Sequence, residues 1–170
     1  MPLSEDQLCE IFADGVRDIP ALRLWLLGRT KFAGQADQCR LLDGEQMAIR
    51  PRRRWWRHWW CYVPELSRES LTKIFMVFEV GTTGERFALH FENKRQGSKF
   101  SPGQAAAYAP RARHMSLKAE YLSYTNFQTL LLAPADFRRR RAADVDRFDV
   151  LLTYDEIARF LPAFGASESD

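Results

Sequence analysis

Apolar residues near the N-terminus recur at helical intervals. Ser4–Gln7 has the spacing of a capping box, and the apolar residues after it lie one, three or four positions apart: Leu8, Ile11, Phe12 and Val16. This pattern predicts a first helix from about Glu5 to Val16. Pro20 suits the first turn of a second helix that ends near Gly28. Residues 30–50 have weak periodicity, and no element is predicted there.

The middle of the chain has the pattern of a β-hairpin. Residues 74–80 are apolar, β-branched or aromatic, residues 81–84 read Gly-Thr-Thr-Gly, and residues 86–92 form a second strand. Pro102 and Gly103 then open a short predicted helix that carries Gln104 and Tyr108 on one face.

The C-terminal part predicts further alternation of strands and helices. A strand over residues 127–132 precedes a basic helix over residues 135–142, and a strand over residues 148–152 precedes a closing helix that starts at the capping box Thr153–Glu156. The order of elements favours an α/β (α+β) fold with a central mixed sheet flanked by helices. We expect one domain over residues 1–165 and a flexible tail over residues 166–170.

The segment from Pro51 to Trp60 is rich in arginine and tryptophan. Trp56, Trp59 and Trp60 fall at helical spacing, which predicts one buried face of a short helix. A second interpretation is an Arg/Trp surface that stacks bases and neutralises phosphates. A third is an apolar patch, including Trp55, on which another protein docks.

Charge and composition narrow the class of protein. No apolar run approaches the roughly 20 residues of a membrane span, and the N-terminus lacks the pattern of a signal peptide. The three cysteines are widely spaced, so we expect reduced thiols, a cytoplasmic protein and no membrane partner. The net charge is only +3, but the basic residues are clustered, as in surfaces that bind phosphate backbones.

Glu92 and Lys94 end the second predicted strand. Side chains alternate along a strand, so these two project to the same side. Phosphodiester hydrolysis needs a hard cation held by oxygen ligands, and a positive group beside the attacking water. At this spacing the carboxylate supplies an oxygen ligand for the cation, and the lysine supplies the positive group beside the water.

The segment from Arg86 to Arg95, with Gln104 and Tyr108 after it, resembles the core of PD-(D/E)XK nucleases. The resemblance covers roughly residues 70–160 well and the first helix (Ser4–Glu5) more loosely, and it implies a restriction-endonuclease-like core. It implies that Glu92 binds Mg²⁺ or Mn²⁺, helped by the Asn93 carbonyl, and that Lys94 and Gln104 act in catalysis. It also implies a nucleic-acid partner, DNA more than RNA. A homodimer is one of the oligomeric states that it allows. The residues then expected to contact nucleic acid are Arg95, Lys99, Arg111, Arg113, Arg138 and Arg139.

One position departs from the family pattern. The hairpin register pairs Val80 with Glu85 and so sets Lys73 opposite Glu92, where the family carries an acid. Either Glu5 or Glu69 completes the site and the domain is a metal-dependent nuclease, or the fold is an inactive module that binds nucleic acid or a protein.

Overall fold

A mixed sheet of six strands forms the centre of this computed structural model, which describes residues 1–166. Its topology is α+β: β3 is antiparallel to its neighbours β1, β2 and β4, whereas β4, β5 and β6 are parallel to one another. The strands are β1 (Cys39–Leu41), β2 (Arg57–Val63), β3 (Arg68–Val80), β4 (Arg86–Asn93), β5 (Asn126–Ala133) and β6 (Val150–Thr153).

The helices lie on both sides of this sheet. They are α1 (Glu5–Asp18), α2 (Pro20–Gly28), α3 (Asp43–Ile49), α4 (Tyr108–Met115), α5 (Phe137–Arg140), α6 (Ala142–Val145), α7 (Tyr154–Ala158) and α8 (Ala163–Ala166). Within residues 1–166 no helix is long and apolar enough to cross a bilayer. The predicted tail begins at residue 166, and its residues 167–170 lie outside the described part.

Both predicted capping boxes are present. The Ser4 hydroxyl accepts from the Gln7 amide at the start of α1, and the Thr153 hydroxyl accepts from the Glu156 amide at the start of α7. These bonds satisfy amides that a helix start leaves without partners. α1, α2 and β4 lie close to their predicted bounds, whereas β3 begins at Arg68, six residues before the predicted start of its strand at residue 74.

β3 divides the core into layers because its side chains alternate between two faces. Ile74 and Met76 pack with α1 and α2, where Phe12 meets Phe91 edge to face at 5.3 Å between ring centroids. Phe75 and Val77 pack on the opposite face beside α4. A third apolar cluster, between α4, β5 and α5, continues that face.

The helix predicted for the tryptophan-rich segment is wrong. Residues 57–63 form β2, in which Trp59 is buried and Trp60 is exposed, as strand alternation requires. Trp55 and Trp56 are buried just before the strand. The helical spacing of the tryptophans is thus coincidental, and three of the four residues predicted for an apolar docking patch are in the core.

Two further helices differ from their predicted bounds. Residues 102–107 form turns with Gly103 at φ +76°, so α4 begins at Tyr108 instead of near Pro102. The predicted basic helix over residues 135–142 is two short helices, α5 and α6, which meet at Arg141.

Candidate carboxylate site and basic groove

The pairing of β3 with β4 ends at Ile74 and Phe91, and the hydroxyl of Tyr108 lies at this fork. It accepts from the Lys73 amide at 3.3 Å and lies 3.1 Å from the Phe91 carbonyl. Burial and the nearby Glu92 raise the pKa of Tyr108 well above its ordinary value, so the hydroxyl keeps its proton and donates. The Lys73 amide therefore bonds to the tyrosine hydroxyl instead of to β4, and the two strands separate where the site residues lie.

Glu92 is buried at this fork, with 1% of its surface exposed. Its Oε1 accepts from the Asn93 amide at 3.0 Å and lies 3.1 Å from the Lys73 Nζ. Its Oε2 accepts from the Gln104 Nε2 at 3.0 Å and lies 2.9 Å from the Tyr108 hydroxyl. Two carboxylate oxygens offer about four acceptor positions, and all four have partners here.

The Lys73 ammonium bridges two carboxylates. It pairs with Glu92 and also with Glu5, in the first turn of α1. The predicted register is confirmed, because the Val80 amide donates to the Glu85 carbonyl and the ladder brings Lys73 opposite Glu92. Glu5, one of the two further acids named from the sequence, thus meets the site through Lys73. Glu69 lies exposed in β3, opposite Tyr62.

Lys94 is connected to Glu92 through hydrogen bonds of the Gln104 side chain. Its Nζ donates to the Gln104 Oε1 and to the Lys99 carbonyl, both at 3.0 Å, and lies 5.0 Å from the ring centroid of Phe100. Burial lowers the pKa of Lys94, an effect that Glu92 opposes and Lys73 reinforces. Glu92, Gln104 and Lys94 therefore form one hydrogen-bonded chain, on the same side of the sheet as predicted.

Asn93 points to the other face of the sheet. Its side-chain Nδ2 lies 3.4 Å from both the Glu5 carbonyl and the Cys9 Sγ, and its side-chain Oδ1 accepts from the Tyr154 hydroxyl. Burial raises the pKa of Cys9 to about 12, so this thiol is protonated. The Asn93 side chain therefore fastens α1 and α7 to the sheet.

Arg111 is buried, with 1% exposure, and this corrects its predicted role as a contact to nucleic acid. Its Nε donates to the Thr72 hydroxyl at 2.8 Å, and its guanidinium lies 4.1 Å from the Tyr108 ring centroid. The Thr72 hydroxyl in turn lies 2.9 Å from the His90 Nδ1, and the His90 Nε2 lies 3.1 Å from the Tyr124 hydroxyl.

This chain of donors defines the state of His90. The Tyr124 hydroxyl donates to the Ala112 carbonyl, so it accepts from the His90 Nε2, and the Nδ1 accepts from Thr72. Burial, together with the charge of Arg111, lowers the pKa of His90 well below its ordinary value. His90 is therefore neutral and has a structural role.

The donor set around Glu92 does not fit a divalent metal. Magnesium takes oxygen ligands, commonly from more than one carboxylate, whereas here an ammonium lies between the Glu5 and Glu92 side chains. The remaining acceptor positions of Glu92 are filled by protein donors. Over residues 1–166 no group of three or more His, Cys, Asp or Glu side chains is arranged to hold a metal.

A basic groove of about 560 Å³ lies beside the carboxylates, and we call it the arginine groove. Its wall includes Asp6, which follows Glu5 in α1. Five of its eight lining residues are arginines, and a single aspartate opposes them. The lining residues are Asp6, Arg50, Arg52, Arg53, Arg54, Arg57, His58 and Trp60.

Arg50 holds the loop that forms this groove. Its guanidinium donates to the carbonyls of Arg57, Arg54 and His58, and it stacks 4.1 Å from the ring centroid of Trp59. Burial lowers its pKa to about 10, so it remains charged at neutral pH. The loop is further fixed because the Trp59 Nε1 donates to the Trp55 carbonyl at 2.8 Å. The buried tryptophans thus anchor a loop whose arginines face solvent.

The charges in the groove differ in how they are paired. Arg57 pairs with Asp6 and Arg54 with Glu10, each at 2.9 Å and each with both partners at least 40% exposed. Arg52 and Arg53 are exposed and, among the described residues, form no ion pair. Since exposed ion pairs contribute little, the groove has a positive surface that is open to anions.

The other basic residues predicted to bind nucleic acid are not brought into this groove. In the described part of the chain its lining includes none of them. Arg95 is half-buried, and the remaining four are exposed elsewhere: Lys99, Arg113, Arg138 and Arg139. Sequence reasoning found the segment that forms the groove but missed Arg50 and Asp6, for which no motif gave a signal.

Comparisons of this chain with protein-family models, with curated proteins and with solved structures find no match.

Proposed function

We propose that this chain binds the phosphate backbone of nucleic acid in the arginine groove, and that the Glu92 site beside it is a structural centre that does not take a metal. The observation that carries the proposal is the excess of arginine in the groove, five residues against one aspartate. This corresponds to the alternative in which a nuclease-like module binds nucleic acid without cleaving it.

The support is electrostatic and geometric. Nucleic-acid affinity comes largely from neutralising phosphates with arginine and lysine, which releases condensed counterions. Arg52 and Arg53 are free to do this, and the exposed pairs of Arg54 and Arg57 exchange at low cost. Arg50 keeps the loop in shape before any ligand arrives, so little ordering is required on binding.

The test is a titration of a fluorescently labelled 20-nucleotide DNA with the protein, followed by anisotropy at several salt concentrations. We expect affinity to fall steeply with salt. Replacing Arg52, Arg53 and Arg54 together by alanine should lower affinity about tenfold or more and reduce the slope of log K against log salt by about 2 to 3.

A matched control comes from α5. Alanine at Arg138, Arg139 and Arg140 removes the same charge outside the groove, and we expect less than a threefold effect on affinity. Affinity that does not depend on salt, or equal losses in the two triple variants, would contradict binding in the arginine groove.

A second candidate function is phosphodiester hydrolysis at Glu92, as the family resemblance implies. The observation in its favour is that Glu5 and Glu92 share one cation, so movement of Lys73 would leave two carboxylates facing one position. It predicts cleavage of DNA or RNA that requires Mg²⁺ or Mn²⁺ and is lost in both Glu92→Gln and Lys94→Ala. Cleavage that persists in both variants, or none in the native protein at millimolar Mn²⁺, excludes this site as a nuclease.

A further inference from the structure

The outer face of β2 carries two exposed aromatic residues. Trp60 is 48% exposed and Tyr62 is 55% exposed, while Trp59, Cys61 and Val63 between and beside them are buried. Alternation along the strand therefore sends both rings to the same side, with their backbone positions about 7 Å apart. Two neighbouring exposed aromatic rings on one face form a patch of the kind found at binding surfaces.

The aromatic face is continuous with the arginine groove. Trp60 forms part of the groove wall together with His58 and Arg57 from the same strand. Tyr62 lies two residues further along, opposite Glu69, where an acidic side chain replaces the basic ones. The groove arginines thus lie at the Trp60 end of the aromatic pair.

We infer that the arginine groove takes single-stranded nucleic acid in preference to duplex, with unpaired bases stacking on Trp60 and Tyr62; this inference rests on the proposed function. Successive aromatic rings beside a basic groove are the arrangement by which proteins bind single strands without reading sequence, since every base has a face to stack. In a duplex the bases are already stacked on one another and leave these rings without a partner. The phosphates of the same strand lie along Arg52, Arg53 and Arg57.

The backbone of β2 is ordered without any ligand. The Trp60 carbonyl accepts from the Tyr121 hydroxyl at 2.9 Å, and Arg50 holds the carbonyl of His58. Both contacts use main-chain atoms of the strand, so replacing the exposed rings leaves them intact. Variants at Trp60 and Tyr62 can therefore be read as changes in the binding surface and not in the fold.

The experiment compares one 20-nucleotide strand with the duplex made from it, using the full chain and anisotropy at a single low salt concentration. We expect tighter binding to the single strand. Trp60→Ala should weaken single-strand binding about tenfold or more and change duplex binding less than twofold, whereas Trp60→Phe should retain most of the affinity. Tyr62→Ala should show the same pattern to a smaller extent.

Leu24→Ala is the matched control, because Leu24 is an apolar residue of α2 with 46% exposure, close to that of Trp60. It should leave both affinities unchanged, and melting curves should coincide for all these variants. Equal affinity for the two DNA forms, or no loss in Trp60→Ala, overturns the single-strand inference while leaving an arginine-dependent groove in place. Failure to bind either form overturns the proposed function and this inference with it.

Discussion

Replacing Lys73 by methionine removes the cation that lies between Glu5 and Glu92. Methionine keeps an unbranched side chain of similar length, so the change is mainly one of charge. Lys73 is 16% exposed and its partner Glu92 is 2% exposed at the side chain. The Glu92 carboxylate would keep three donors, from Tyr108, Gln104 and the Asn93 amide, but no neighbouring cation within ion-pair distance.

The expected loss of stability follows from the geometry of this pair. At 3.1 Å and an effective dielectric constant of about 20, the attraction between Lys73 and Glu92 is about 5 kcal/mol. Desolvation of the lysine offsets part of this attraction, and the three remaining hydrogen bonds continue to hold the carboxylate. We therefore expect the free energy of unfolding to fall by about 2–3 kcal/mol, with the melting temperature lower by about 5–10 °C.

The assay is urea denaturation at pH 7, with the free energy of unfolding obtained by linear extrapolation. The double variant Lys73→Met/Glu92→Gln separates charge from packing. Because it removes both charges, it should regain at least about 1 kcal/mol relative to Lys73→Met. Lys99→Met is the matched control, since the exposed Lys99 contributes its carbonyl and not its ammonium, and it should change stability by less than about 0.5 kcal/mol.

Two results would refute this reasoning. The first is a Lys73→Met variant as stable as the native protein, which would mean that the ammonium contributes nothing net at this fork. The second is a double variant no more stable than Lys73→Met, which would assign the loss to packing of the lysine stem. In either case Lys73 would not be the counter-ion that the fold requires.

Two further predictions concern the buried groups around the fork. Tyr108→Phe leaves the Lys73 amide without its acceptor and Glu92 without one of its donors, so it should cost about 1–3 kcal/mol in urea denaturation; unchanged stability would contradict these two contacts. Because the folded protein keeps His90 neutral while the unfolded chain takes up a proton below about pH 6.5, stability is present above that pH and falls as pH falls. Between pH 6.5 and 5.5 the native protein should lose about 1 kcal/mol more than His90→Gln, and equal losses would disprove the assignment.

The hairpin could be predicted from sequence because the residues that determine it are close together in the chain. Two strongly apolar runs joined by Gly-Thr-Thr-Gly fix the register, and the register alone brings Lys73 opposite Glu92. The contacts of Gln104 and Tyr108 with Glu92 also agree with their expected place near the site. The helix drawn through both residues was wrong, since the turn at Gly103 delays α4.

The rest depends on contacts between distant parts of the chain. β1 has three residues and pairs with the far end of β3, so nothing in its own sequence identifies it. For β2, the tryptophans fit a helical spacing as well as an alternating one, and only pairing with β3 decides between them. Arg50 had no motif at all, because its role is to satisfy carbonyls of a loop that does not exist until the chain folds.

The Lys73 ammonium lies between the Glu5 and Glu92 carboxylates, which is the position that a metal ion would need. Two further cations, Lys94 and Arg111, lie in or beside this buried centre. A divalent cation placed there would be repelled by the Lys73 ammonium, whereas in the function that we propose a phosphate in the arginine groove would be attracted by the groove's arginines. In that proposal, Lys73, which stands where the resembled nucleases carry an acid, adds to the positive potential that would attract a nucleic-acid backbone.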